Sequence, residues 1–99
     1  MTAATGPVTV LARWVVAPGR EAEVRELVAT LRERSLAEAG CLGYEVFASV
    51  DDPATMLLAE RYRDADAIEA HRGSAHYRDL VAGRILPLLA SRQVELLHA

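Results

Sequence analysis

The stretch from residue 60 to residue 77 holds most of this chain's capacity for acid–base chemistry. It reads Glu60-Arg-Tyr-Arg-Asp, then Ala70-His71-Arg72-Gly73-Ser74-Ala75-His76-Tyr77, and contains two of the three histidines and two of the three tyrosines. A histidine can move a proton near neutral pH. A tyrosine hydroxyl can bond a substrate oxygen, and a carboxylate can orient an imidazole. Glu60 and Tyr62 are two apart in a strand-like run and so share a face. His71 follows Ala67 and Ile68 by about one helical turn and should point inward with them. The pattern predicts one cleft between helices and sheet that holds all three groups. The same spacing also suits a purely structural role, with His71 as a hydrogen-bonded core residue and Glu60 paired to an arginine.

Other chemistries are poorly served. Glu60, His71 and His76 have the right types for metal ligands, but the histidines are five apart across a break at Gly73. They do not form the i,i+4 pair of helical zinc sites, so no metal site is assigned. Cys41 follows the end of a helix, where the dipole opposes a thiolate, and reads as packing. No G-x-S-x-G, G-x-x-x-x-G-K or G-x-G-x-x-G occurs. All 11 cations are arginine, which excludes lysine-centred catalysis. Trp14 and Phe47 read as core or interface.

The elements that must position these groups follow from periodicity. Val8–Val16 alternates Val8, Val10, Ala12, Trp14 and Val16 against Thr9, Leu11, Arg13 and Val15, a strand with two semi-apolar faces. Ala17-Pro18-Gly19 breaks it. Residues 21–38 read as a helix with the stripe Val24, Leu27, Val28, Leu31, Ser35, anions in its first turn, and Gly40 placed to close it. Strands are expected over 43–50 and 55–63, with Met56, Leu58, Glu60 and Tyr62 on one face of the second. Asp64 should cap a short helix to Arg72. Ser74 should cap another, with Tyr77, Leu80, Val81, Arg84, Ile85 and Leu88 inward and Pro87 ending it. Residues 92–98 form the last strand. The order β-α-β-β-α-β is the ferredoxin-like arrangement: an α+β fold with helices on one face of an antiparallel sheet. Apolar residues on the bare face predict a second sheet against it, hence a homodimer.

The chain has 99 residues, 52% hydrophobic and 25% charged, which fits one ordinary globular domain. Residues 1–7 read as a loose tail without signal-peptide character, and 8–99 as the domain. The net charge of −3, with arginines scattered from Arg13 to Arg92, argues against nucleic acid as a partner. No run approaches the roughly 18 apolar residues of a membrane span. A single cysteine suits a reducing compartment, so a cytoplasmic location is expected.

Three segments in order carry a resemblance over about Val8 to Leu97. They are Val8-Thr-Val-Leu-Ala with Pro18-Gly19, then Glu38-Ala-Gly-Cys-Leu-Gly-Tyr-Glu45, then Glu60-Arg-Tyr-Arg-Asp through His71 to His76-Tyr77. With them the chain resembles the antibiotic biosynthesis monooxygenase family, which includes quinol monooxygenases. The resemblance implies a dimeric α+β barrel with a pocket for an aromatic or quinol-like molecule. It also implies a reaction with molecular oxygen that uses no flavin, haem or metal, so no cofactor is expected.

By the same likeness, His71 would be the base, with His76 and Tyr62 assisting and Glu60 orienting a histidine. Tyr77, Arg72, Trp14 and Leu58 would contact substrate. The Asn, Trp and His of haem-degrading relatives fall on Ala12, Tyr62 and Val81, and an Asn of the anthrone-oxidising branch falls on Leu58, which argues against both substrates. The His71–Tyr77 segment is also similar to relatives that isomerise small phosphorylated sugars. A proton-transferring isomerase with Arg72 or Arg78 holding an anion is therefore the alternative, beside a non-catalytic dimeric binding domain.

Overall fold

The computed structural model describes residues 6–98. The expected tail lies outside them except for Gly6 and Pro7, which carry no regular structure. Four strands, β1 (Val8–Val16), β2 (Cys41–Ala48), β3 (Thr55–Tyr62) and β4 (Leu89–His98), form one antiparallel sheet in the order β2-β3-β1-β4. Helices α1 (Glu21–Leu36) and α2 (Ala65–Arg72) and a π-helix (Tyr77–Ile85) complete the fold, the last followed by a 3₁₀ turn over Leu86–Leu88. This is the ferredoxin-like α+β architecture.

The alternation in β1 decides its orientation. Val8, Val10, Ala12, Trp14 and Val16 are all buried beneath the helices. β3 does the same with Met56, Leu58, Glu60 and Tyr62. The bare face keeps Phe47 and Leu57 exposed. α1 buries the stripe Val24, Leu27, Val28, Leu31 and Ser35, with Glu21 and Glu23 in its first turn. Gly19 adopts φ 82°, the left-handed conformation that lets the chain turn from β1 into α1. Asp64 caps α2 by accepting from the Ala67 N–H at 2.9 Å, and Ser74 Oγ accepts from the Tyr77 N–H at 3.2 Å.

Several boundaries differ from expectation. α1 ends at Leu36 rather than Glu38. Gly40 is therefore not its cap. It lies against α2, where an added Cβ would run into the Cβ of Ala67. β2 runs over Cys41–Ala48, two residues earlier than expected, and β4 begins at Leu89 rather than Arg92 because Ala17 N–H binds Leu88 C=O and fixes the start of that pairing. The last helix buries Leu80, Val81 and Ile85 as expected, yet leaves Arg84 exposed. Its turns are wider than α-helical ones, closing i to i+5, so a three-residue step from Val81 no longer returns to the inner face.

Two packed clusters result. The larger joins one end of the sheet to α1 and the π-helix, and the smaller gathers Val8, Val10, Tyr62, Ala67 and Ile68. Cys41 packs against both.

Candidate functional site

A narrow cleft with a free volume of about 30 Å3 lies at the seam between these clusters. The sheet supplies its floor through Trp14, Tyr44, Glu60 and Tyr62, and α2 supplies His71 and Arg72. Of the residues singled out in the sequence, Glu60, Tyr62, His71, Tyr77, Arg72 and Trp14 all line it. Leu58 does not. Although it shares a face with Glu60, it is fully buried in the larger core cluster. His76 is absent from the cleft wall and reaches it only through a shared carboxylate. Arg78 is exposed and takes no part in the lining.

That carboxylate is Glu38. Its Oε2 accepts from His71 Nδ1 at 2.8 Å and from His76 Nε2 at 2.5 Å. The orienting role expected of Glu60 therefore falls geometrically to Glu38. One cue was legible, since Glu38 opens the Glu38-Ala-Gly-Cys segment, but a helix continued through it turns the side chain elsewhere. With α1 ended at Leu36, Glu38 sits in a turn closed by the Cys41 N–H on its own carbonyl at 3.2 Å. The break at Gly73-Ser74 does the rest. The Ser74 N–H and Oγ–H both donate to the His71 carbonyl, at 3.1 and 2.6 Å, and redirect the chain so that His76 faces back towards His71. Their ring centres are 5.9 Å apart.

The bond to Glu38 fixes the state of His71. A carboxylate only accepts, so Nδ1 carries the proton and Nε2 bears the lone pair. Nε2 lies 3.7 Å from Glu60 Oε1, too far for a hydrogen bond, and the ring is flanked by Tyr62 and Tyr77 with centroids 5.2 Å away on either contact. Burial lowers the His71 pKa and outweighs the opposite pull of Glu38. His71 is thus neutral at neutral pH with a free lone pair beside the cleft.

Glu60 is tuned the other way. Burial raises its pKa to about 7, although the Tyr62 hydroxyl donating to Oε1 at 2.6 Å and the nearby Arg72 and Arg92 favour the anion. Burial also pushes the Tyr62 and Tyr44 hydroxyls well above the ordinary phenol value, so both stay protonated. Arg92, from β4, donates to Tyr77 Oη at 3.1 Å at the rim. Arg92 and Tyr44 were not anticipated as lining residues; their strand register, Arg92 opposite Trp14 and Tyr44 opposite Glu60, is what places them there. Trp14 Nε1–H, though buried, has no partner among the described residues. Cys41 lies outside the cleft wall, and burial raises its thiol pKa, as suits a packing residue. The arrangement pairs a proton acceptor with a carboxyl group that titrates near neutrality, beneath a rim of two arginines.

Comparison with known proteins places this geometry in a lineage. Residues 7–83 match the family described as antibiotic biosynthesis monooxygenase. The chain is 38% identical over 73 residues to a Mycobacterium tuberculosis protein named "Putative monooxygenase Rv0793", covering 74% of this chain and 71% of that one. The solved structure of Rv0793 superposes with a TM-score of 0.88 at 34% identity over 95% of both chains. The Bacillus subtilis protein named "Putative monooxygenase YcnE" is 30% identical over 67 residues, 68% of this chain and 70% of that one. A Caulobacter crescentus structure described as a "putative antibiotic biosynthesis monooxygenase" matches with a TM-score of 0.88 at 27% identity, covering 96% of this chain and 91% of that one. By the match over residues 7–83, this chain belongs to the antibiotic biosynthesis monooxygenase family.

Proposed function

We propose that the protein is a cofactor-independent monooxygenase that oxidises a small phenolic or quinol-like aromatic compound with molecular oxygen. The observation that carries this reading is His71, neutral, buried and oriented by Glu38, with its lone pair beside the cleft.

His71 Nε2 accepts the phenolic proton. The arginines at the rim favour the phenolate that results. The phenolate passes one electron to oxygen, giving a phenoxyl radical and superoxide, which join at a ring carbon bearing hydrogen. The peroxide takes a proton, and loss of water, with the ring hydrogen and one peroxide oxygen, leaves a quinone. Oxygen is the oxidant and the substrate is the reductant. His71 returns the proton, and Glu60, titrating near neutrality, can donate one to the departing oxygen. Trp14 Nε1–H offers a donor to a substrate oxygen.

The test is oxygen consumption by chelator-treated protein with a panel of hydroquinones and naphthols, with ¹⁸O₂ followed into the product. Label in the quinone supports the reading. A complete lack of uptake across the panel, with folded protein, counts against it. The pairing of Nε2 with a nearby titrating carboxyl also suits isomerisation of a small anionic carbonyl compound. Carbon-bound hydrogen exchange in deuterated water without oxygen would favour that alternative.

A further inference from the structure

We propose that Glu38, His71 and His76 form a binding site for one divalent transition metal ion of the zinc type, and that the bound ion turns His71 from a proton acceptor into a proton donor. The first half stands on geometry alone. The second rests on the acceptor role given to His71 above.

Three ligand atoms, one from each side chain, lie within 4.8 Å of one another. They are a carboxylate oxygen and two imidazole nitrogens, the donor set that zinc takes in His₂Glu sites. Zinc bonds of about 2.0–2.2 Å place tetrahedral ligands about 3.3 Å apart. The present contacts of 2.8 and 2.5 Å need to open by less than about 1 Å to admit an ion. Each ligand comes from a different segment: the turn after α1, the last turn of α2, and the residue just before the π-helix. None of the three sits on a long loop. The side chains of Glu38 and His76 are 17% and 15% exposed, so the ion has a path from solvent. A supporting partner lies close by, because the far nitrogen of His71 is 3.7 Å from the Glu60 carboxylate, a gap that a small shift of the ring would close. Zinc-bound histidines usually give their second nitrogen to such an acceptor.

The consequence for His71 is a change of tautomer. Without metal, its Nδ1 proton is held by Glu38 and Nε2 bears the lone pair. A metal ion takes the Nδ1 lone pair, so the single proton of the neutral ring moves to Nε2, on the side of Glu60. His76 binds through Nε2 and gives up the contact that this atom makes with Glu38. No electron is transferred. His71 Nε2 then has no lone pair for a phenolic proton, so metal and substrate chemistry exclude each other.

The test uses the full metal-free chain at neutral pH. Zinc is titrated by calorimetry, and cobalt(II) by its visible absorption. One equivalent should bind, with the intense bands of a four-coordinate cobalt ion. His76→Ala should weaken zinc binding by roughly a hundredfold or more, and Glu60→Gln by roughly tenfold. His76 is partly exposed, so its variant should fold; Glu38→Gln, with circular dichroism as a check, gives a second ligand deletion. Long-range proton–nitrogen NMR should show His71 protonated at Nδ1 without zinc and at Nε2 with it. Absence of saturable one-to-one binding at micromolar zinc overturns the site, as does unchanged affinity in both ligand variants. Binding without the tautomer change overturns the second half. These readings need no substrate, so they stand apart from any failure of the oxygenase assay.

Discussion

His71 shows how a single contact sets the chemistry of a side chain. Its position would suit a structural histidine, yet the Glu38 bond leaves Nε2 unprotonated beside Glu60. Replacing His71 by Ala should cut turnover of a competent phenol by on the order of a hundredfold or more. Cys41→Ser should leave oxygen uptake nearly unchanged, because the thiol donates to the Gly43 carbonyl and lies outside the cleft wall. The rise of kcat/KM with pH should have its midpoint below 6.5, since burial lowers the His71 pKa. Glu38→Gln keeps an acceptor but removes the charge that favours the imidazolium, so it should move that midpoint lower still, which loss of packing alone would not do.

Glu60 yields a prediction in the opposite sense. Its folded-state pKa of about 7 lies above the ordinary 4.5, so its anion is disfavoured by folding. The group has no effect on stability below about pH 4.5, and stability is lost as pH rises through 7, by a few kcal/mol at most. The Tm advantage of Glu60→Gln over the wild type should therefore grow between pH 5 and 8. A pH-independent difference would show that burial does not perturb this carboxyl.

At the scale of elements, the site depends on where helices stop. α1 ends two residues before Glu38, and α2 ends at the Gly73-Ser74 break, so two histidines five apart come to share one carboxylate. On a single helix that spacing would separate them. Gly40 secures the first of these turns by letting it touch α2 at Ala67. Gly40→Ala should cost about 1–3 kcal/mol in urea unfolding, the usual range for overpacking. Adding Ala67→Gly removes the clashing methyl, so the double variant should be more stable than the sum of the single losses predicts. Strict additivity would mean that the two residues are not in contact.

The whole molecule presents one unpartnered sheet face. Phe47 and Leu57 are exposed there, and every residue of β4 after Leu89 is exposed although Arg92 and Val94 line the cleft. Apolar surface of this kind marks a contact. The wild type should therefore be a homodimer by light scattering at micromolar concentration, and Leu57→Glu should shift it towards monomer. A wild-type protein that scatters as a monomer ends that expectation. Among the described residues no helix is long and apolar enough to cross a membrane.

Sequence alone determined the frame: the order of elements, the inward faces of β1 and β3, the Asp64 and Ser74 caps, and the placement of Glu60, Tyr62 and His71 in one cleft. These are local consequences of side-chain period and capping, which act over a few residues. Tertiary structure decided the rest. It moved the orienting carboxylate from Glu60 to Glu38, sent Leu58 into the core, turned Arg84 out, and brought Tyr44 and Arg92 to the cleft through strand register. Each of those outcomes depends on where a helix ends or which strand lies alongside. Such choices are settled by contacts between residues distant in the chain, as with Glu38 and His76, which periodicity cannot encode.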